Sequence, residues 1–420
     1  MVQKPESFTS MPDTGRGAVI TGIGVVAPGG IGNDAWWSSA KSGKSAIRRI
    51  TRFDPSQYPA QLAGEVDGFD AADYLDQRLI VQTDHWTHMA LAATQMALDD
   101  AEYDPEGKDP YRMSVITASG SGGNEFGQKE IENLWGKGPI FVGAYQSIAW
   151  FYAATTGQIA IKYGMKGPCG VVCQEGAGGL EALWHSRRNI VRGVDFVVSG
   201  GTEAPIGPYA LTCQLTNGRL SLENEPDDAY RPFDERANGY VMGEGGAIVI
   251  VEEAGHAKKR NAPQVYAEIL GYATTNDAFD AKRVSGDGSQ LARAMRMAVD
   301  RAGVETDDID VVFADAAGVP EADAAEASAI NEVFGRDVPV TAPKTMTGRL
   351  YGGGAPLDVA AAVFAMRDDV IPPTINVDSP AEGCDLAFVT EAKEGPVGTV
   401  LVNARGFGGF NSSIVLRKPS

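Results

Sequence analysis

The stretch GPCGVVCQEGAGGLEALWHSRR, residues 167–188, predicts a strand, a tight turn and a helix. Val171 and Val172 belong to the β-branched part, and the Ala- and Gly-rich part that follows is typical of a buried helix. Gly176 lies at the apex of the turn. A side chain at a helix N-terminus is stabilised as an anion by the helix dipole, but glycine has no side chain to use this position. Taken alone, the segment could also be only a buried strand and its following helix.

Cys173 is the sulfur nearest to this turn, three residues before Gly176 and inside the predicted strand. A free cysteine in an apolar strand usually behaves as a small, inert hydrophobic residue. We therefore predict a structural role for Cys173, with a displaced nucleophile as the alternative.

The composition is that of a globular protein with room for two substantial cores: 420 residues, 43% hydrophobic and 22% charged. Residues 1–16 are polar and lack the apolar segment of a signal peptide, so we expect a flexible N-terminus. No later apolar run is long enough to span a bilayer, and we expect a cytoplasmic protein. The four cysteines lack the paired spacing of metal ligands, which predicts no metal site.

The formal net charge of −19 argues against nucleic acid or an anionic membrane as a partner. Local basic clusters exist at Arg187, Arg188 and Arg192, and again at residues 258–260. Either cluster could receive an acidic carrier protein, although a basic cluster on an acidic protein is more often a solvated face.

Strand patterns recur in the same order in the two halves of the chain, which indicates an internal duplication. The pairs are residues 112–123 with 309–320, 194–204 with 397–409, and 245–253 with 412–418. Ala-rich helical patterns alternate with them, which predicts a layered α/β fold with buried sheets. Charge, Asn and Pro interrupt the pattern at residues 256–263, so we place the halves at residues 17–256 and 264–420.

The segment RPFDERANGYVMGEGGAIVIVEE at residues 231–253, with GFGGF at 406–410 and the turn at Gly176, resembles the β-ketoacyl synthase family. The resemblance extends from Gly17 to Lys418. It implies a thiolase-like fold, in which two duplicated halves form a layered αβαβα sandwich. It also implies that Gly176 stands where the family has its nucleophilic cysteine.

The resemblance assigns two histidine positions of the family to other residues here. In FADAAGVPEADAAEA, alignment back from Glu326 places Asp315 at the first position. In PKTMTGRLYGGG, Lys344 matches the family and Arg349 stands at the second position. Decarboxylative Claisen condensation needs a thiolate and neutral imidazoles that stabilise developing negative charge. We therefore expect no catalytic residue, only three vacated positions.

This combination resembles the chain length factors, the ketosynthase β subunits of bacterial type II aromatic polyketide synthases. The segments at residues 149–168, 313–327 and 338–358 are the most similar. Many members have glutamine at the cysteine position, and Gly176 departs from that pattern. The resemblance implies a heterodimer with a ketosynthase α subunit, with the strand before Gly176 at the interface. It also implies a substrate carried on the phosphopantetheine of an acyl carrier protein, and no cofactor on this chain.

In such a pair, a channel for the poly-β-ketone would begin at the cysteine of the α subunit and end inside this chain. We expect residues 121–135 to form a helix that lines it, with Asn124, Gly127 and Ile131 on one face. Phe407 completes the predicted channel set. The small or polar residues on this face predict a deep channel and a long product, a decaketide or beyond. The alternative is that the face packs into the core of the subunit itself.

Two other functions remain open from the sequence. One is an active β-ketoacyl-carrier-protein synthase that uses Cys173 as its nucleophile. The other is a catalytically silent homodimer that only binds acyl chains.

Overall fold

The computed structural model describes residues 15–419 and consists of strands and helices that alternate along the chain. The prediction of a flexible N-terminus at residues 1–16 falls almost entirely outside the described residues. The strands are β1 (Ala18–Ala27), β2 (Gly30–Ile31), β3 (Ile47–Arg49), β4 (Leu62–Gly64), β5 (Met113–Ala118), β6 (Gly170–Val172), β7 (Phe196–Glu203), β8 (Gly245–Glu253), β9 (Ala267–Asn276), β10 (Val311–Phe313), β11 (Pro339–Thr341), β12 (Val370–Ile371), β13 (Ala387–Phe388), β14 (Lys393–Glu394), β15 (Thr399–Gly406) and β16 (Phe410–Arg417).

The helices range from four to 16 residues in length. They are α1 (Asn33–Lys41), α2 (Gln77–Gln82), α3 (His85–Asp100), α4 (Asn124–Lys137), α5 (Gln146–Ala149), α6 (Ala154–Lys162), α7 (Gly178–Val191), α8 (Pro208–Leu215), α9 (Pro226–Ala229), α10 (Ala254–Lys259), α11 (Ser289–Ala302), α12 (Pro320–Phe334) and α13 (Gly354–Asp368).

The strand order repeats in the two halves. The first half has the order β6-β5-β7-β8-β1, and the second has β11-β10-β15-β16-β9. In both, the two strands nearest the outer end run parallel, and the last two pairs run antiparallel. The three predicted pairs of strand patterns are confirmed, since β5, β7 and β8 hold the same places as β10, β15 and β16.

The two sheets are joined where β1 and β9 pair over two residues, Val19 with Glu268 and Ile20 with Ala267. Side chains of one strand alternate between two cores. Val249 of β8 packs against the middle helices α7 and α13, whereas Ile250 packs against α3 on the outside. In the other sheet, Val400 faces the middle layer and Leu401 faces α11 and α12. The result is the predicted αβαβα sandwich.

The carboxyl ends of several strands meet beside the middle helices, and this edge positions the candidate site. The chain leaves β6 toward Gly176, β10 toward Asp315 and β11 toward Lys344. Ligand sites of parallel sheets lie at such carboxyl ends. The predicted boundary at residues 256–263 falls on the end of α10 and the turn after it, and the two halves as separate units stay a prediction.

Candidate functional site

The turn at Gly176 has the predicted strand-turn-helix form. β6 is followed by a 3-10 turn at Glu175–Ala177, and α7 begins at Gly178. A Cβ atom built on Gly176 would overlap the carbonyl oxygen of Arg405 and would lie 3.3 Å from Nη2 of Arg349. Glycine fits at this position because other parts of the chain occupy the space that a side chain would fill.

Arg349 and Asp315 form a bidentate ion pair next to Gly176. Nη1 of Arg349 donates to Oδ2 of Asp315 at 3.0 Å, and Nη2 donates to Oδ1 at 3.1 Å. Nη1 also donates to the backbone carbonyl of Asp315 at 2.9 Å. The side chains are 13% and 3% exposed. The structure thus brings Gly176, Arg349 and Asp315 together. That they are the vacated catalytic positions of the family stays a prediction.

The backbone fixes both partners of this pair. The N–H of Arg349 donates to the carbonyl of Val241 at 2.8 Å, and Glu326 accepts the N–H groups of Asp315 and Ala316. The N–H of Arg405 donates to Oδ1 of Asp315 at 2.9 Å. The ion pair is therefore held by the backbone before β8, by helix α12 and by the end of β15.

Both groups stay charged in this environment. Burial by itself would raise the pKa of Asp315, but Arg349 and Lys344 outweigh it, and the pKa lies below its ordinary value. Burial would lower the pKa of Arg349, but Asp315 raises it well above its ordinary value. A guanidinium cannot accept a proton, and a carboxylate repels a developing anion. The pair can do neither task of the imidazoles in a condensing enzyme.

A second buried ion pair lies beside the first. Nζ of Lys344 is 2.6 Å from Oδ2 of Asp358, and both side chains are buried. Burial raises the pKa of Asp358 to about 6, an effect that Lys344 opposes. Lys344 therefore has a carboxylate partner of its own inside the site.

Little space remains between these groups. The cavity lined by Gly176, Asp315, Lys344 and Arg349 offers about 20 Å³ to the centres of water molecules. That is room for about one water molecule between these side chains.

Phe407 lies on the other side of the ion pair, at the end of β15. Its N–H donates to Oε2 of Glu175 at 3.1 Å, and the guanidinium of Arg219 lies 4.7 Å from its ring centroid. The cavity that Phe407 lines together with Arg219 and Arg349 offers about 40 Å³ by the same measure. Its lining includes no residue of α4. The structure therefore groups Phe407 with the vacated positions rather than with Asn124, Gly127 and Ile131.

Cys173 does not lie inside a buried strand, and that prediction is wrong. β6 ends at Val172, and Cys173 is exposed. Partial burial and the nearby carboxyl of Glu203 both raise the pKa of its thiol. Since the thiolate is the nucleophilic form, these surroundings make Cys173 a poor nucleophile.

The other predicted residues lie on α4. Asn124 begins this helix and is half-buried, Gly127 is buried, and Ile131 is 44% exposed. A Cβ atom built on Gly127 would lie 2.7 Å from Cδ1 and 3.0 Å from Nε1 of Trp150. The helix itself is confirmed. That its face lines a channel stays a prediction, and the space at Gly127 is already occupied by the indole of Trp150.

A broad apolar surface surrounds this helix, and we call it the α4 surface. It consists of the exposed large hydrophobic residues of α4 and of the segment that follows it, Ile131, Leu134, Trp135, Ile140, Phe141, Ile148, Trp150, Phe151 and Tyr152. Exposed patches of this kind mark interaction sites in soluble proteins.

β6 is the last strand of the sheet in the first half. It pairs only with β5 among the described strands, so its outer edge is unpaired.

Sequence reasoning missed three residues of the site. Arg405 carries a charge inside an otherwise apolar strand pattern, VLVNARG, and that signal could have identified it. Arg219 and Trp150 gave no such signal. Arg219 covers the ring of Phe407 and Trp150 covers Gly127, and in both cases the two residues are distant in sequence.

Within residues 15–419, no helix is long and apolar enough to cross a membrane. No group of three or more His, Cys, Asp or Glu side chains in the same range is placed to hold a metal ion.

Comparison with known proteins extends over nearly the whole chain. Residues 16–257 match the N-terminal domain of β-ketoacyl synthase, and residues 266–378 match its C-terminal domain. The chain is 51% identical over 403 residues to the tetracenomycin polyketide synthase ketoacyl synthase beta subunit of Streptomyces glaucescens, an alignment that covers 95% of this chain and 98% of the relative.

Two solved structures resemble the fold closely at 27% sequence identity. The ishigamide ketosynthase/chain length factor matches with a TM-score of 0.89. A type II PKS acyl-carrier protein in complex with its ketosynthase bound to the hexaketide matches with a TM-score of 0.88. Each alignment covers 96% of this chain and 100% of the matched chain.

Proposed function

The chain belongs to the β-ketoacyl synthase family, among the ketosynthase β subunits of type II polyketide synthases, and we propose that it acts as a non-catalytic chain length factor. In this proposal it pairs with a ketosynthase α subunit. The α subunit carries the growing chain on its cysteine and performs the decarboxylative condensations. This chain supplies the wall that limits the length of the poly-β-ketone.

The observation that carries the proposal is the ion pair of Arg349 and Asp315 beside Gly176. By the resemblance, the pair stands at both imidazole positions, and the carbonyl of Arg405 lies where the side chain of a residue at position 176 would begin. A damaged enzyme would leave an empty pocket at these positions. Here the side chains of Arg349 and Asp315 are hydrogen-bonded to each other and to the backbone, as buried polar groups that stabilise a fold are.

The unpaired edge of β6 and the α4 surface support a permanent partner. Permanent complexes bury roughly 2,000 Å² or more and are largely apolar. A β6 strand of a second ketosynthase-like subunit can extend the sheet here, because no described strand pairs with the outer edge of β6 in this chain. The ishigamide ketosynthase/chain length factor has the same fold, which favours an α subunit as that partner.

The substrate in this proposal arrives on the phosphopantetheine arm of an acyl carrier protein. The matched structure of a carrier protein with its ketosynthase supports a carrier of this class. In this proposal the arm enters through the α subunit, which carries the reactive cysteine. Asn124, Gly127 and Ile131 are the proposed contacts of the chain with the polyketide, through the face of α4.

The test is reconstitution from purified components. This chain, a candidate α subunit and the mixture are each given malonyl-loaded carrier protein, and products are measured by mass spectrometry and complex size by sedimentation. We expect neither self-acylation nor condensation by this chain alone, and a heterodimer that makes polyketide from the mixture. Condensation by this chain alone would overturn the proposal, as would an unchanged homodimer in the mixture. The Cys173→Ser variant checks whether any residual activity comes from that thiol.

A further inference from the structure

Trp150 lies at the end of a segment that crosses over α4. The segment runs from Gly138, after the end of α4, through α5 to Trp150. Trp150 is 48% exposed, so its ring belongs to the α4 surface. One part of the Trp150 side chain therefore packs within the subunit, and the exposed part can contact a molecule bound to the α4 surface.

Two hydrogen bonds fix this segment against α4. The carboxylate of Glu130, which is buried, accepts the N–H of Gly143. The carbonyl of Trp150 accepts the N–H of Gly123 at 3.1 Å, just before α4 begins. Glycine is needed at residue 123, because a Cβ atom there would overlap the carbonyl of Ala149. The backbone at Trp150 is thus anchored at the start of the helix.

The indole of Trp150 is seated on Gly127. Cδ1 and Nε1, on the five-membered ring, are the atoms closest to the Cβ position of Gly127, so the six-membered ring projects away from the helix. Gly127 lies three residues after Asn124 and four before Ile131, on the same face. The ring therefore covers the middle of the face that was predicted to be open.

We propose that Trp150, seated on Gly127, is a specificity-determining residue whose indole forms the wall that limits the depth of the polyketide channel. The inference rests on the proposed function and deepens it. Gly127 then leaves space for the ring of Trp150. The depth of the channel is set by that ring as well as by α4. A tryptophan side chain presents about 150–250 Å² of surface, enough to block an extended acyl chain.

The experiment reconstitutes Trp150→Ala with the α subunit and carrier protein. Phe279→Ala is the matched control, because Phe279 is an aromatic residue that is 59% exposed and lies outside the α4 surface. We expect a heterodimer in both cases. The main product of Trp150→Ala should be longer by at least one two-carbon unit, and that of Phe279→Ala should be unchanged. An assembled Trp150→Ala complex with products of unchanged length would overturn the inference.

A second variant covers the case in which Trp150→Ala does not assemble. Trp150→Phe keeps an aromatic ring at the interface and removes part of the bulk, so the product distribution should still shift toward longer chains. If Trp150→Phe also fails to pair, Trp150 acts in assembly, and the inference is wrong. If the wild-type mixture itself makes no heterodimer or no polyketide, the proposed function fails, and that result is separate from any result with the variants.

Discussion

Arg349 donates to both carboxylate oxygens of Asp315, at 3.0 and 3.1 Å, and thereby ties together two loops that come from different strands. The loop after β10 carries Asp315, and the loop after β11 carries Arg349. In a condensing enzyme the corresponding groups act on substrate. Here they act on each other, so the same positions contribute to the stability of the fold.

Asp315→Asn should destabilise the protein by about 3–5 kcal/mol, because it leaves the guanidinium of Arg349 buried without its counter-charge. Asp385→Asn is the matched control, since Asp385 and its partner Arg336 are 68% and 72% exposed. The control should cost less than about 1 kcal/mol. Chemical denaturation of both variants measures the difference. Equal losses would show that burial of the first pair has no special effect.

Gly176→Cys should remain inactive as a condensing enzyme and should also be less stable than the wild type. Groups that act as a unit in catalysis are strongly non-additive, so a thiol without its imidazoles restores nothing. The new Cβ atom would overlap the carbonyl of Arg405 and force β15 to shift. Gly286→Cys, at an open and exposed position, is the control for the substitution itself. The measurements are acyl-enzyme formation by mass spectrometry and the midpoint of thermal unfolding. Detectable acylation at residue 176 would contradict this prediction.

Phe151→Asp should prevent pairing with the α subunit, because it places a charge in the middle of the α4 surface. Phe279→Asp makes the same change at a residue that is equally exposed, 59% in both cases, but belongs to a different loop. Only the first variant should lose the heterodimer in sedimentation experiments, and it should be less prone to aggregate when expressed alone. Loss of pairing in both variants, or in neither, would place the interface elsewhere.

The pH dependence of stability should include a contribution from Glu203. This buried carboxyl accepts the N–H groups of Gly120 and Ser121, just before α4, and burial raises its pKa from 4.5 to about 7 despite those hydrogen bonds. A raised pKa in the folded state means that the stability present below pH 4.5 is lost as the pH rises through about 7.

Glu203→Gln should therefore flatten the fall in melting temperature across this pH range. Glu235→Gln, at an exposed position, should leave the profile unchanged. Thermal unfolding at a series of pH values measures both. A Glu203→Gln profile that is parallel to that of the wild type would rule out this contribution.

Much of the fold could be predicted from the sequence, because the pairs of strand patterns recur in order. β5 and β10, for example, are both β-branched runs followed by glycine-containing loops, and periodicity alone identifies them. Contacts between distant residues could not be predicted in the same way. The closeness of Arg405 to Gly176 depends on how the end of β15 packs against the turn after β6. The contact of Trp150 with Gly127 depends on the path of the segment after α4. The end of β6 before Cys173 is a boundary that local propensity does not determine.

The two halves differ at the outer edges of their sheets, and this difference bears on how an assembly can grow. In the second half, β13 pairs with β11 and covers its outer edge. In the first half, no described strand covers the equivalent edge of β6. The outer edge of β13 is also unpaired among the described strands, but β13 has two residues and β6 has three. A contact between β6 and the same edge of a second subunit uses that edge on both sides, so it ends at two subunits and does not continue into a fibre.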